Sequence, residues 1–193
     1  MRKINILFVS VLLYNLAYAA DDITVVALND FHGQMAANKS MVGAGKISIF
    51  LQNFRKQYPN TVVVLAGDNY QGTAISNISL GQVDNEFFNY IGVKYSALGN
   101  HDFDYGQAVF ESWARTNQFP FLAANVINAS DGSIFKYAEP YGELALPSGK
   151  KIAFIGLATL ETPATTGISN IEGLKFTNPV SSVNQWVKFL NSA

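Results

Sequence analysis

Three short clusters of carboxylate, amide and imidazole side chains each follow an apolar segment of this 193-residue chain. The clusters are Asn29–Gly33, Gly67–Gly72 and Gly99–Asp104. One aspartate in such a place readily caps a turn, but three clusters in the same context are difficult to explain by turn formation alone. The chain contains no cysteine, and oxygen and nitrogen ligands without thiolate favour Mn, Fe, Zn or Mg. The spacing therefore predicts a site for divalent metal.

The apolar segments before these clusters predict neighbouring strands of one sheet. They are Ile23–Leu28, Thr61–Ala66 and the shorter Tyr95–Leu98. The first two are rich in β-branched residues, which is typical of buried strands. Ligands of open α/β sheets bind beyond the carboxyl ends of the strands, so we expect all three clusters at one edge of the sheet.

Segments with helical spacing separate the predicted strands. Helices are expected over Gly43–Tyr58, Val83–Ile91 and Gln107–Asn117, and a further strand near Phe119–Ala123. In the first helix the apolar positions are Ile47, Phe50, Leu51 and Phe54. This alternation of strands and helices predicts an α/β fold with a mainly parallel sheet.

The pattern changes in the last third of the chain. Strands are predicted over Tyr141–Leu146 and Lys151–Leu157, and the turn-rich segment 147–150 between them indicates an antiparallel hairpin. A final helix is expected from Pro179, with one apolar face made of Val183, Trp186, Val187 and Leu190.

The first 19 residues have the pattern of a signal peptide. Arg2 and Lys3 precede an apolar run, which ends in the small-x-small sequence Ala17-Tyr18-Ala19. A buried first helix or a membrane anchor would be the alternative, but polar residues interrupt the run and it is shorter than the roughly 20 residues that span a bilayer. We expect an exported protein, periplasmic or extracellular, with residues 20–193 forming the mature domain.

Composition narrows the classes of function. The chain is 49% hydrophobic and 14% charged, which excludes a disordered segment and allows a core. With 13 basic and 14 acidic residues, the net charge of -1 gives no electrostatic indication of nucleic-acid binding. A small-molecule partner is compatible with this balance of charges.

The chain resembles the calcineurin-like metallophosphoesterases in three ordered motifs: Asp30-x-His32, Gly67-Asp68-x-x-x-Gly72 and Gly99-Asn100-His101-Asp102. The longer strings Leu-Asn-Asp-Phe-His-Gly and Gly-Asn-His-Asp-Phe-Asp-Tyr-Gly resemble the 5'-nucleotidase branch, which includes periplasmic UDP-sugar hydrolases. The similarity runs from about Ile23 to the end of the chain. It implies the N-terminal part of a four-layer α/β/β/α sandwich with mixed sheets.

The resemblance also implies a site for two divalent metals, which could be Mn, Zn, Mg, Fe or Co. Asp30 and His32 would hold the first metal. Asp68 would bridge both metals, and Asn100 would bind the second through its side-chain carbonyl.

Two further residues acquire catalytic roles by the same resemblance. His101 would stabilise charge on the phosphoryl or leaving-group oxygen, without ligating a metal. Asp104 would orient the His101 ring in a His–Asp dyad.

This sequence departs from the family in its histidines. The family completes its metal sites with later histidines, whereas His101 is the last histidine here. We therefore expect at most one metal to be held well, and a domain truncated at its C-terminal side. A separately encoded C-terminal portion is one possible partner.

Three functions remain open from the sequence. The first is a metal-dependent phosphoester hydrolase of the 5'-nucleotidase type, acting on nucleotides or UDP-sugars, with little or no activity as an isolated chain. The second is an exported, non-catalytic metal- or phosphate-binding remnant. The third is a related chemistry at the same site, such as 2',3'-cyclic nucleotide phosphodiesterase activity or hydrolysis of sulfate esters.

Overall fold

The computed structural model describes residues 22–192, which form a mixed α/β structure. The predicted signal peptide, residues 1–19, lies outside the described residues. None of the helices in the described range combines the length and the apolar character that crossing a membrane requires.

The elements follow one another as the alternation predicts, with several short additions. The strands are β1 (Thr24–Leu28), β2 (Thr61–Leu65), β3 (Val93–Ala97), β4 (Phe121–Leu122), β5 (Val126–Asn128), β6 (Ala138–Glu139), β7 (Tyr141–Ala145), β8 (Lys151–Ile155) and β9 (Leu174–Phe176). The helices are α1 (Gly43–Gln57), α2 (Ala74–Ser79), α3 (Gln82–Tyr90), α4 (Ala108–Thr116), α5 (Thr162–Thr165) and α6 (Pro179–Leu190). Short 3₁₀ turns lie at His101–Phe103 and Ile168–Ile171.

The main sheet places the three polar clusters at one edge. Its strand order is β1-β2-β3-β4-β6, and all neighbouring strands are parallel. Leu28 pairs with Leu65, and Leu65 pairs with Ser96, so the first three strands end side by side. The predicted α/β class and the common edge are therefore confirmed.

Two small antiparallel pairs accompany the main sheet. β7 and β8 pair in register from Tyr141 opposite Ile155 to Ala145 opposite Lys151, which confirms the predicted hairpin. Its turn is closed by a hydrogen bond of 2.8 Å from the Leu146 N–H to the Lys150 carbonyl. β5 and β9 form the second pair, which the sequence did not predict.

An aromatic core lies beneath the three loops. Trp113 of α4 is fully buried, and its ring stacks on Tyr70 at a centroid distance of 3.9 Å. Phe31, in the loop after β1, lies 5.3 Å from the rings of both Phe87 and Phe88 of α3. The loops therefore rest on the core through aromatic side chains that alternate with the polar residues.

Two burial predictions are wrong in detail. β1 is only half-buried, because β2 is its sole strand partner within residues 22–192 and alternate side chains face opposite sides. Val25 is 48% exposed, whereas Val26 packs against the core. In α1, Leu51 is 1% exposed but Phe50 is 56% exposed, because the apolar stripe facing the sheet is narrower than the spacing predicted.

Candidate metal centre

The loops after β1 and β2 carry the candidate metal ligands in left-handed backbone conformations. The φ angles are 51° at Asp30, 47° at His32 and 52° at Asp68. Residues other than glycine seldom adopt this region, although aspartate and histidine do so more often than most. Such positions persist only when their surroundings hold them, and they cluster at functional sites.

Backbone hydrogen bonds continue the pairing of β1 and β2 into these loops. The Asp30 N–H donates to the Gly67 carbonyl at 3.2 Å, and the His32 N–H donates to the Asp68 carbonyl at 3.1 Å. The Gly33 N–H donates to the Asn69 carbonyl at 3.2 Å. The two loops therefore hold each other in their strained conformations.

Three side chains from these loops converge on one point. One ligand atom each of Asp30, His32 and Asp68 lies within 4.8 Å of the other two. His32 Nε2 is 3.8 Å from Asp30 Oδ1, while His32 Nδ1 is 3.1 Å from the Gln71 carbonyl. Because a carbonyl can only accept, Nδ1 carries the proton in the neutral ring and Nε2 keeps its lone pair for a metal.

This donor set fits one divalent metal ion. Two carboxylates and one imidazole suit Zn, Mn, Fe or Co, and three protein ligands with one open position are typical of catalytic metal sites. Asp30 also accepts a hydrogen bond from the Asn29 side-chain amide, which orients the more exposed of the two carboxylates.

A buried carboxylate ties the second loop to the third. Asp102 is fully buried and accepts four backbone N–H groups, from Asp68 (3.2 Å), Asn69 (2.8 Å), Tyr70 (3.3 Å) and Gly99 (2.8 Å). Burial raises the pKa of Asp102 to about 6, and the N–H groups oppose that shift. The sequence offered Asp102 only as part of a motif, without a role.

The third loop places His101 beside the metal ligands. The ring centroids of His101 and His32 lie 5.2 Å apart. The backbone N–H of His101 donates to Asp68 Oδ1 at 2.9 Å. His101 Nδ1 is 2.6 Å from Asp104 Oδ2, as the predicted dyad requires. Nε2 makes no hydrogen bond within residues 22–192 and is the ring atom that remains for a substrate.

Asp104 controls the charge of this ring. The hydrogen bond to Asp104 raises the pKa of His101 above its ordinary value, against the smaller opposing effect of burial. A carboxylate beside a partly exposed imidazole favours the protonated form, which can donate to a phosphoryl or leaving-group oxygen.

Asn100 lies in the same loop, immediately before His101. It is half-buried, and its carbonyl accepts the Phe103 N–H at 3.2 Å. Its side-chain amide makes no hydrogen bond within the described residues, so the amide oxygen is not engaged elsewhere in that part of the chain.

Two residues from a distant segment complete the surroundings of the dyad. Thr166 Oγ1 donates to Asp104 Oδ1 at 2.7 Å, and Asn170 Nδ2 donates to the Asp104 carbonyl at 2.9 Å. They lie 62 and 66 positions after Asp104 in the chain, and no local pattern marked them.

A parallel sheet that presents carboxylates, an imidazole and a His–Asp dyad at its carboxyl edge defines a metal-binding α/β domain. The family model of the calcineurin-like phosphoesterases matches residues 23–192. The chain belongs to the calcineurin-like phosphoesterase family.

Individual relatives are 5'-nucleotidases. The mouse 5'-nucleotidase is 31% identical over 165 residues, which cover 76% of this chain and 28% of that protein. The NAD 5'-nucleotidase of Haemophilus influenzae is 29% identical over 156 residues, covering 75% and 26%. This chain therefore spans little more than a quarter of the length of these relatives.

Solved structures give the same result for the fold. The NAD nucleotidase of Haemophilus influenzae superposes with a TM-score of 0.77 at 26% identity, over 87% of this chain and 32% of that one. A sulfate thiohydrolase from Thermus thermophilus has a TM-score of 0.77 at 14% identity, over 89% and 42%, which shows the fold alone. The expected metallophosphoesterase fold, in its N-terminal part, is confirmed.

We predict that the chain binds no more than one Mn²⁺ ion, and that Asp30→Ala or Asp68→Ala weakens this binding at least tenfold, because each removes one of three ligands. Isothermal titration calorimetry measures both stoichiometry and affinity. Glu86→Ala removes a negative charge from an exposed side chain of α3 and should leave the affinity unchanged. Two tightly bound ions per chain would contradict the assignment.

We predict that Asp104→Asn lowers the His101 pKa toward its ordinary value of about 6.5, because the carboxylate stabilises the charged ring. The folded state holds this proton more tightly than the unfolded chain does. The pair therefore stabilises the fold below about pH 6.5, and this contribution is lost as the pH rises through the His101 pKa.

NMR titration of the ring protons follows this pKa directly, since the chain contains only two histidines. Glu161→Gln neutralises an exposed carboxylate elsewhere and serves as the control. An unchanged His101 pKa in Asp104→Asn, or an equal shift in the control, would be inconsistent with the dyad.

Proposed function

We propose that this chain is the metal- and phosphate-binding part of a phosphoester hydrolase that acts on nucleotides. The observation that carries the proposal is the convergence of Asp30, His32 and Asp68 beside the dyad of His101 and Asp104. The names of the relatives, 5'-nucleotidase and NAD 5'-nucleotidase, support nucleotides as the substrate class. UDP-sugars are a second candidate substrate, which rests on the resemblance of the sequence motifs alone.

Asp30, His32 and Asp68 would hold the first metal, and their contacts support this role. His32 is fixed with Nε2 available, and Asp68 keeps one carboxylate oxygen outside the hydrogen bond to the His101 N–H. Asp68 and Asn100 would be the ligands of a second metal. When bound, the metals would polarise the phosphoryl group and supply a nucleophile from water at neutral pH.

His101 and Asp104 would act on the substrate itself. His101 Nε2 would donate to the phosphoryl or leaving-group oxygen, where negative charge increases during hydrolysis. Asp104 would keep the ring protonated and, with Thr166 Oγ1 on its other oxygen, would hold it in one orientation.

The second metal needs donors that these residues do not supply. Asp68 and Asn100 are two ligands, and two ligands leave a divalent metal mostly hydrated. We infer that further ligands, and the groups that select the nucleoside, come from sequence outside these 193 residues, on the same polypeptide or on a separate one.

We also propose that residues 1–19 direct export, so that residues 20–193 act in the periplasm or outside the cell. Support comes from the basic start, the apolar run and the Ala-Tyr-Ala end of this segment.

We predict that the 193-residue chain with Mn²⁺ hydrolyses AMP only at the uncatalysed rate, because the groups of a two-metal site act as a unit. Adding the C-terminal portion of a longer relative, fused or in trans, should restore turnover. In the restored enzyme, His101→Ala should lower kcat by about 100-fold or more, whereas Glu86→Ala should not change it.

Parallel assays with UDP-glucose and 2',3'-cyclic AMP identify the preferred ester. Rapid AMP hydrolysis by the chain alone would contradict the need for further ligands. A complemented enzyme that binds metal yet hydrolyses none of the three esters would indicate a non-catalytic binding protein.

We predict that protein from the native host begins at or near Ala20, which mass spectrometry of the intact chain would show. Ala19→Phe should block this processing, since the cleavage site requires a small residue at that position. Native material that retains Met1 would overturn the export proposal.

A further inference from the structure

The proposed metal ligand His32 is oriented by the backbone of Gln71, a residue that is not among the proposed metal ligands. The Gln71 carbonyl accepts the proton of His32 Nδ1 at 3.1 Å, and this contact decides which ring nitrogen faces the metal. Gln71 has a φ of 65°, which is in the left-handed region that residues other than glycine rarely adopt. Something else in the structure must hold it there.

Two residues of α2 provide such contacts. Asn77 Oδ1 accepts the Gly72 N–H, which belongs to the same peptide group as the Gln71 carbonyl, at 3.1 Å. Ser76 binds the other side of Gln71. Its hydroxyl oxygen accepts the Gln71 N–H at 3.2 Å, and the same hydroxyl donates to Asp84 Oδ2 at 2.5 Å. Ser76 and Asp84 are both fully buried, in the neighbouring helices α2 and α3. Because the Ser76 proton is directed to Asp84, the lone pairs of its oxygen remain for the Gln71 N–H.

Thr73, the N-cap residue of α2, contacts the loop of His32 from a second side. Thr73 Oγ1 donates to the carbonyl of Gly33 at 2.7 Å. Gly33 has a φ of 64°, and a Cβ atom placed there would lie 2.3 Å from the Cβ of Ser76. The residue after His32 therefore packs directly on Ser76, and the backbone has no room to move closer.

The buried carboxylate of Asp84 contacts one side chain within residues 22–192. Its Oδ1 makes no hydrogen bond within residues 22–192, and its other oxygen contacts only Ser76. A buried carboxyl group is costly unless it serves as a hydrogen-bond partner. Among the described residues, Ser76 is therefore the only side chain that donates a hydrogen bond to the Asp84 carboxylate.

We propose that Ser76 and Asp84 are positioning residues, which hold the Gln71 carbonyl against His32 Nδ1 and so direct His32 Nε2 toward the metal. The inference rests on the proposed metal site. It adds to that site a series of hydrogen bonds from Asp84 through Ser76 and Gln71 to His32. These hydrogen bonds favour the His32 tautomer that is protonated on Nδ1.

The test is Ser76→Ala, examined in the metal-free chain at pH 8.5, above the ordinary imidazole pKa of about 6.5. In the unsubstituted chain, ¹⁵N NMR of the His32 ring should show a single tautomer protonated on Nδ1. In Ser76→Ala it should show a mixture of both tautomers. Mn²⁺ affinity should fall about 10- to 100-fold, the range for residues that orient a metal ligand.

Ser182→Ala is the matched control. Ser182 is also a buried helical serine, but its hydroxyl contacts Thr177 and neither metal loop. It should lose comparable stability without changing the His32 tautomer or the Mn²⁺ affinity. Should Ser76→Ala fail to fold, Ser76→Cys keeps a side chain of similar shape that accepts hydrogen bonds only weakly, and it should give the same loss.

The proposal is overturned if a folded Ser76 variant keeps the single Nδ1-protonated tautomer and an Mn²⁺ affinity within twofold of the unsubstituted chain. A change of equal size in Ser182→Ala would also overturn it. If the unsubstituted chain binds no Mn²⁺, the proposed metal site is wrong, and the tautomer measurement still decides the positioning role.

Discussion

The arrangement of the site depends on one buried carboxylate, Asp102, which accepts four backbone N–H groups from two loops. Burying an ion is unfavourable by several kcal/mol, and each hydrogen bond to a charged group returns about 1.5–3 kcal/mol. The raised pKa of Asp102, about 6, shows that burial outweighs the hydrogen bonds. Since this pKa lies above the ordinary value, the ionised form that the loops require at pH 7 costs the fold stability.

Apolar packing below the loops opposes the loss of stability that ionised Asp102 causes. Phe31 lies between the two proposed ligands of the first loop and is 5% exposed, with its ring against Phe87 and Phe88. Asp30 is exposed and His32 is half-buried, on either side of Phe31 in the chain. The strained backbone of the first loop is thus held from below by an aromatic anchor and from the side by hydrogen bonds to the second loop.

Much of this arrangement could be predicted from the sequence, because it depends on local patterns. The apolar runs before Asn29, Gly67 and Gly99 correctly predict three strands that end at one edge, and the periodicity correctly predicts α1, α3, α4 and α6. The exposure of Val25 could not be predicted, since it depends on which strand occupies the edge of the sheet. The short elements α2, β5, β6 and β9 contain too few residues to show a period.

The contacts around the candidate site also fall into two groups, those that a local sequence pattern predicts and those that it does not. The pairing of His101 with Asp104 spans three residues and was visible as a motif. Thr166 and Asn170 contact Asp104 from more than 60 residues away, so no single-sequence pattern connects them to the dyad. The role of Asp102 was hidden for a different reason, because a carboxylate that binds only backbone N–H groups leaves no partner side chain in the sequence to recognise.

Contacts within the described residues hold the loops of the proposed first metal site. The proposed first-metal ligands Asp30, His32 and Asp68 all have strained φ angles, and partners within residues 22–192 hold them: the opposite loop, Asp102 and the aromatic core. The first-metal ligands therefore need no contact from a further segment to take up their geometry. The proposed second metal is different, because Asp68 and Asn100 alone would not complete its coordination. In the proposed hydrolase, the first metal site could thus be organised before the second is assembled, and turnover, which would need both, would depend on the later step.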